Sequence, residues 1–165
     1  MTGKIYLVGF MGSGKSTLAA ALSRALGWAV EDTDTLVERR EGMTVAEIFA
    51  RHGEARFRAA ERAVLEELQP RRQVVVATGG GLYAEPDNRA LVNRDGLAIW
   101  LDVSLKRVIE RLPRDGRRPL AAGQAGLERL YHARQAAYRQ AHVRLDADDA
   151  GPDELVGRVL DRLER

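Results

Sequence analysis

Lys15 stands inside the run GFMGSGKST, Gly9 to Thr17, directly after the apolar stretch KIYLV. The spacing Gly9-x-x-x-x-Gly14-Lys15-Ser16 is that of a loop shaped to wrap phosphate. Successive backbone N–H groups can curl around a β-phosphate, and side chains on the inner surface would obstruct that approach, which accounts for Gly9, Gly12 and Gly14. A helix opening near Ser16 adds the positive end of its dipole. In such a loop Lys15 reaches the β- and γ-phosphates, and Ser16 offers its hydroxyl to Mg2+. The competing reading is a glycine turn beside a stray lysine. An apolar strand before the loop and a helical pattern after it favour the phosphate loop, and with it a nucleoside triphosphate ligand.

A guanine-reading Asn-Lys-x-Asp is missing; NRDG at 93–96 does not fit. The apolar run VVVA ends in Thr78-Gly79-Gly80-Gly81 rather than in an acid, so a carboxylate that helps hold the metal must come from elsewhere. Asp32 and Asp34 in EDTD are the candidates, one near the metal and the other receiving a proton, although either can also cap the helix that follows. Gly79, Gly80 and Gly81 form either a flexible turn or a backbone that an acceptor approaches closely. Glu54, Arg58 and Glu61 share a helix face, on which two carboxylates can hold one guanidinium or simply form a solvated ion-pair stripe. Arg134 is a lone helical arginine with Tyr138 one turn on, and its spacing alone suggests a surface position. Arg117 and Arg118 lie in a glycine- and proline-containing stretch, where an arginine either neutralises a moving phosphoryl group or is a solvated loop charge.

These residues need strand ends and loops to bring them together. Apolar runs predict strands over 4–8, 28–32, 73–81, 96–102 and 142–148. Helical spacing predicts a helix over 16–26, two successive helices across TVAEIFARHG and EARFRAAERAVLEEL, one over 104–112, and a last one opened by Pro152 and Asp153. Apolar strands alternating with helices imply an α/β fold, a mainly parallel sheet covered on both faces. Ligands then gather where the strands end.

The 165 residues suit one domain, with no repeat or linker. Twenty-six Lys plus Arg against 24 Asp plus Glu is too even a balance to argue for nucleic acid. With no cysteine there is no disulfide, thiolate metal site or cysteine nucleophile. No run approaches the roughly 18 apolar residues of a membrane span, and the first residues lack a secretory pattern. The expectation is a soluble cytoplasmic protein without a membrane or nucleic-acid partner, with nothing to suggest an obligate oligomer.

Taken together, GFMGSGKST, DTD, GEARFR, ATGGG and RRPL stand in the order and spacing of shikimate kinases, and the chain resembles that family from Gly9 to about Asp146. The phosphate loop alone is shared by a large superfamily; the combination of DTD, FR and TGGG is far more specific. The resemblance implies a P-loop kinase fold of the nucleoside monophosphate kinase type with a five-stranded parallel sheet. It implies one kinase domain over 1–165, with a shikimate-binding region at 33–61 and a lid at 112–126. It further implies transfer of the γ-phosphoryl of ATP to the 3-hydroxyl of shikimate, a step toward chorismate and the aromatic amino acids.

Carried across, Gly12, Ser13, Gly14, Lys15, Ser16 and Thr17 hold the ATP phosphates, and Ser16 and Asp32 serve Mg2+. Asp34 is the likeness's acceptor-binding base. Arg58 and Arg134 take the shikimate carboxylate, Glu61 orients Arg58, Gly79, Gly80 and Gly81 line the acceptor site, and Phe49 and Phe57 wall it. Arg118 is the lid arginine and Arg111 the adenine-stacking one. The family's Arg-x-Pro-Leu-Tyr reads Arg134-Gln-Ala-Ala-Tyr138 here, so the local helix is expected to run on. Arg111 is followed by Leu112 where threonine is usual, and DADDAGPDE matches the adenine loop only loosely. A kinase for gluconate or a nucleoside monophosphate, and an ATP-gated binding protein without turnover, are the rival readings.

Overall fold

The computed structural model describes residues 3–111 and 123–164. β1 (Lys4–Val8) is buried along its whole length, as the apolar run Ile5–Val8 at the centre of a sheet should be, and its charged first residue is buried with it. The sheet is completed by β2 (Ala29–Asp32), β3 (Val74–Ala77), β4 (Leu97–Asp102) and β5 (Val143–Asp146), in the order β2-β3-β1-β4-β5. Every pairing is parallel, with Lys4 opposite Val74, Ile5 opposite Leu97, Ala29 opposite Val74 and Ile99 opposite Val143. β3 is also buried throughout, while β2, on the sheet edge, is exposed at Ala29 and Val30. The chain leaves β1 toward one edge and later returns past it to the other, so the strand ends around β1 frame a crevice.

α1 (Lys15–Leu26) follows β1 and stops at Gly27 in a left-handed cap. α2 (Thr33–Glu41) begins directly at the end of β2. α3 (Val45–Leu68) opens on a capping box between Thr44 and Glu47. Its interior breaks at Gly53, whose φ of 85° and ψ of 176° are outside helical geometry, so it consists of the two successive helices expected, meeting at a sharp kink. The second part buries Phe57, Ala60, Val64 and Leu68, the positions its periodicity marks. α4 (Pro86–Asp95), with proline in its first turn, has no counterpart among the expected elements. α5 (Leu105–Arg111), α6 (Gly123–Tyr138) and α7 (Pro152–Leu163) complete the described helices. Of the expected lid at 112–126, residues 112–122, with Arg117 and Arg118, lie outside the described residues, and 123–126 are the first turn of α6.

The N-terminal ends of the strands hold a polar cluster that the apolar reading of KIYLV does not foresee. Lys4 is fully buried; its Nζ donates to Asp95 Oδ2 at 2.7 Å and to the carbonyl of Gln69 at 3.2 Å. Tyr6 donates to the same Asp95 oxygen at 2.6 Å. Burial pulls the Lys4 ammonium below its ordinary pKa, against the pull of Asp95, and pushes the Tyr6 phenol up. Among the described residues no helix is long and apolar enough to cross a membrane.

Candidate active site

The phosphate loop joins β1 to α1. Gly14 caps α1 with φ of 98°, a left-handed conformation open to glycine with little strain. Lys15, the first residue of α1, is nearly buried, and its Nζ donates to the carbonyls of Gly9 at 2.6 Å and Phe10 at 3.0 Å. The amine is thereby held on the inner side of the loop. Met11 through Thr17 line a cleft closed on the far side by Asp32, Asp34, Thr35 and Thr78 to Gly80.

Asp32 uses both of its carboxylate oxygens. Its Oδ1 caps α2, accepting from the N–H groups of Asp34 at 2.9 Å and Thr35 at 3.3 Å. Its Oδ2 accepts from the Ser16 hydroxyl at 3.1 Å. That pair places two hard oxygen donors at the mouth of the phosphate loop. Among the described residues no cluster of three or more His, Cys, Asp or Glu offers a cage for a metal. A hydroxyl and one carboxylate, with the remaining positions left to phosphate and water, is the donor set suited to Mg2+.

A second cleft adjoins the first. It is lined by Val45, Phe49, Phe57, Arg58, Glu61, Gly81 and Arg134, and shares Met11, Asp34, Gly79 and Gly80 with the phosphate cleft. Phe49 and Phe57 are eight positions apart in α3, which is about 12 Å along a straight helix. The Gly53 kink folds the run so that their ring centroids are 4.9 Å apart.

Arg58 Nη1 donates to Glu61 Oε1 at 2.7 Å, and Nη2 reaches Glu54 at 3.4 Å. The guanidinium also lies over the Phe57 ring, 5.2 Å from its centroid. Arg134 corrects the surface placement its spacing suggests. It is 7% exposed and lies 5.8 Å from the Phe10 ring centroid. Without the family's proline, α6 runs unbroken to Tyr138. The two guanidinium groups converge on one glycine: a Cβ at Gly81 would lie 2.7 Å from Arg58 Nη1 and 3.0 Å from Arg134 Nη2. A Cβ at Gly79 would lie 2.7 Å from Asp34 Oδ1 and 3.2 Å from Glu61 Oε2. The three glycines are thus where two cations and two carboxylates approach the backbone, which a larger residue would prevent.

Glu61 is fully buried. Burial pushes its carboxyl up to about 7, with Arg58 pulling it down and Asp34 pushing it further up. Arg111 donates to the Gly12 carbonyl at 3.2 Å, in a third recess lined by Leu101, Ala147, Pro152 and Leu155 on the other side of the loop. Met11, common to both clefts, carries no chemical signal that reading by residue type could have found.

A family model for shikimate kinase matches residues 11–164. The chain belongs to the shikimate kinase family. As a shikimate kinase it is an ATP-dependent phosphotransferase that acts on an alcohol group of shikimate, in the pathway to chorismate. Shikimate kinase from Sulfurihydrogenibium sp. is 41% identical over 162 residues, covering 98% of each chain. The one from Persephonella marina is 38% identical over 160 residues, 96% of this chain and 98% of that protein. Among solved structures, shikimate kinase from Acinetobacter baumannii in complex with shikimate superposes with a TM-score of 0.93 at 34% identity, covering 99% of this chain and 93% of that one. Deoxyadenosine kinase from M. mycoides, at 18% identity and a TM-score of 0.68, shares the fold alone, which is the P-loop kinase fold of the nucleoside monophosphate kinase type. ATP-using kinases of this fold work with a divalent metal.

Proposed function

We propose that the two adjoining clefts are the ATP-phosphate and shikimate ends of one active site, and that the phosphoryl group passes between them by direct in-line transfer. The observation that carries this is the wall the clefts share: Asp34, Met11, Gly79 and Gly80 border both. A hydroxyl held at Asp34 from the second cleft faces a γ-phosphate held by the loop in the first. The bound A. baumannii relative supports shikimate as the occupant of the second cleft.

Lys15 and the loop N–H groups bind the phosphates. Ser16 and Asp32 hold Mg2+, which when bound neutralises charge on the phosphate oxygens. Asp34 orients the 3-hydroxyl of shikimate and accepts its proton late, since a loose transition state needs little early deprotonation. Arg58 and Arg134 bind the carboxylate with planar forks of donors, and Glu61 holds Arg58 in place. Phe49 and Phe57 flank the ring and exclude water. Arg111 contributes to the nucleotide side, and Arg118 keeps the charge-neutralising role that its RPL motif implies. One kinase domain over 1–165, with 33–61 walling the acceptor and 112–126 as the lid, is the division of labour consistent with these roles. The enzyme is read as a monomer.

A coupled ADP-release assay with shikimate, gluconate and nucleoside monophosphates tests the reading, with NMR to locate the phosphate. Turnover with shikimate alone and phosphate on the 3-oxygen is expected. Faster turnover with another acceptor overturns it.

A further inference from the structure

Three consecutive glycines are the most flexible backbone a chain can have, yet Gly79 to Gly81 must present fixed geometry to an acceptor. Hydrogen bonds hold each of their carbonyls. Leu82 N–H donates to Gly79 O at 3.2 Å, the Tyr138 hydroxyl to Gly80 O at 2.6 Å, and Ala84 N–H to Gly81 O at 3.2 Å. The Gly79 N–H donates to Thr33 Oγ1 at 2.8 Å, so it is engaged by the protein itself. The N–H groups of Gly80 and Gly81 have no hydrogen-bond partner among the described residues, although Gly81 is buried. A buried donor without a partner is a disfavoured arrangement that a bound acceptor relieves.

We propose that Thr33 and Tyr138 are positioning residues for shikimate, acting through the peptide groups of this glycine run. The inference rests on the acceptor site proposed above. A peptide unit is planar and trans, so its C=O and N–H point in opposite directions. Holding the Gly80 carbonyl on Tyr138 therefore fixes where the Gly81 N–H is aimed. Reversing that peptide would set a carbonyl in place of a donor, and Tyr138 opposes the reversal. Thr33 fixes the preceding Thr78–Gly79 unit from the other end.

Each clamp belongs to an element that also carries an acceptor-side group. Thr33 precedes Asp34 at the start of α2, and Tyr138 lies one turn after Arg134 at the end of α6. Both clamp residues are fully buried, and the Tyr138 ring packs against Trp100 with centroids 6.0 Å apart. The glycine donors are thereby kept in register with the carboxylate and the guanidinium that must act on the same molecule.

Tyr138→Phe keeps the ring and removes the donor; Thr33→Val keeps the shape and removes the acceptor; Thr33→Ser restores the hydroxyl. Steady-state kinetics, calorimetric binding of shikimate and thermal melting are measured for all three. Tyr138→Phe and Thr33→Val are each expected to raise the shikimate KM and Kd about tenfold, with a smaller change in kcat and an unchanged ATP KM. Thr33→Ser is expected to stay near the parent. Shikimate constants within about twofold of the parent in Tyr138→Phe overturn the proposal, as does a matching rise in the ATP KM, which marks general loosening. If Thr33→Val does not fold, Tyr138→Phe decides alone. A parent enzyme that turns over shikimate while the variants are indifferent refutes only the clamp; a parent that ignores shikimate refutes the site on which it rests.

Discussion

Arg58 Nη1 lies 2.7 Å from Glu61 Oε1, less than one turn along α3, and the carboxyl that receives it is fully buried. The pairing holds the guanidinium over the Phe57 ring and aims it at Gly81. Burial, working against that pairing, makes Glu61 responsive to pH.

Burial raises the folded-state pKa of Glu61 from 4.5 to about 7, even against Arg58. A group with a raised folded pKa contributes stability that is present in full below about 4.5 and is lost as pH rises through about 7. The loss amounts to something on the order of 3 kcal/mol. Without acceptor, the melting temperature of the parent should fall across that window, and Glu61→Gln should flatten the slope. Parallel slopes in the two proteins would remove Glu61 as the source.

Lys15→Met removes the only side-chain cation that the described residues set within the phosphate loop itself. Turnover should drop by at least about a hundredfold, because positive charge beside the moving phosphoryl group is lost. A sensitive ADP-release assay reads the residual rate, and a variant with near-parental activity would contradict the role.

Asp34→Asn preserves shape while removing a base from the wall shared by the two clefts. The kcat should fall by about 10² to 10⁴, and ATP binding by calorimetry should be unchanged. A bare loss of ATP affinity would instead make Asp34 part of the nucleotide site.

Arg58→Ala and Arg134→Ala should each raise the shikimate KM about 10- to 100-fold. They should differ in stability. Arg58 keeps 20% of its side chain exposed, whereas Arg134 is buried against the Phe10 ring. Arg134→Ala is therefore expected to lose about 1–3 kcal/mol in denaturant unfolding, and Arg58→Ala less. Equal losses would mean that Arg134 packing adds nothing.

The phosphate end of the site is legible in the sequence because it is contiguous: loop, flanking strand and helix all lie between Lys4 and Leu26. The strand-and-helix alternation likewise gives the sheet. The second cleft is assembled from stretches far apart in the chain, from Met11 to Arg134, and there local pattern fails in specific ways. Arg134 shares a helix face with Leu127, Tyr131 and Tyr138, which its lone charge masks as a burial signal; the Phe10 ring that receives its guanidinium is more than a hundred residues away. Tyr138 bonds to a backbone carbonyl, an acceptor that every residue carries and no sequence distinguishes. Lys4 is a charge at the start of a buried strand, tolerable only because Asp95 and two carbonyls meet it there. Nothing in the spacing of KIYLV indicates those partners. Asp32 is the opposite case: the helix cap was legible in the sequence, and the same side chain also meets the Ser16 hydroxyl.

The Lys4–Tyr6–Asp95 cluster sits at the beginnings of the strands, while the chemistry occupies their far ends. Substitutions around the cluster thus shift how firmly the molecule holds together without touching its reactive groups, and effects at such distant places combine additively. Heat tolerance and turnover can accordingly drift apart among homologues, each adjusted from its own end of one β-sheet.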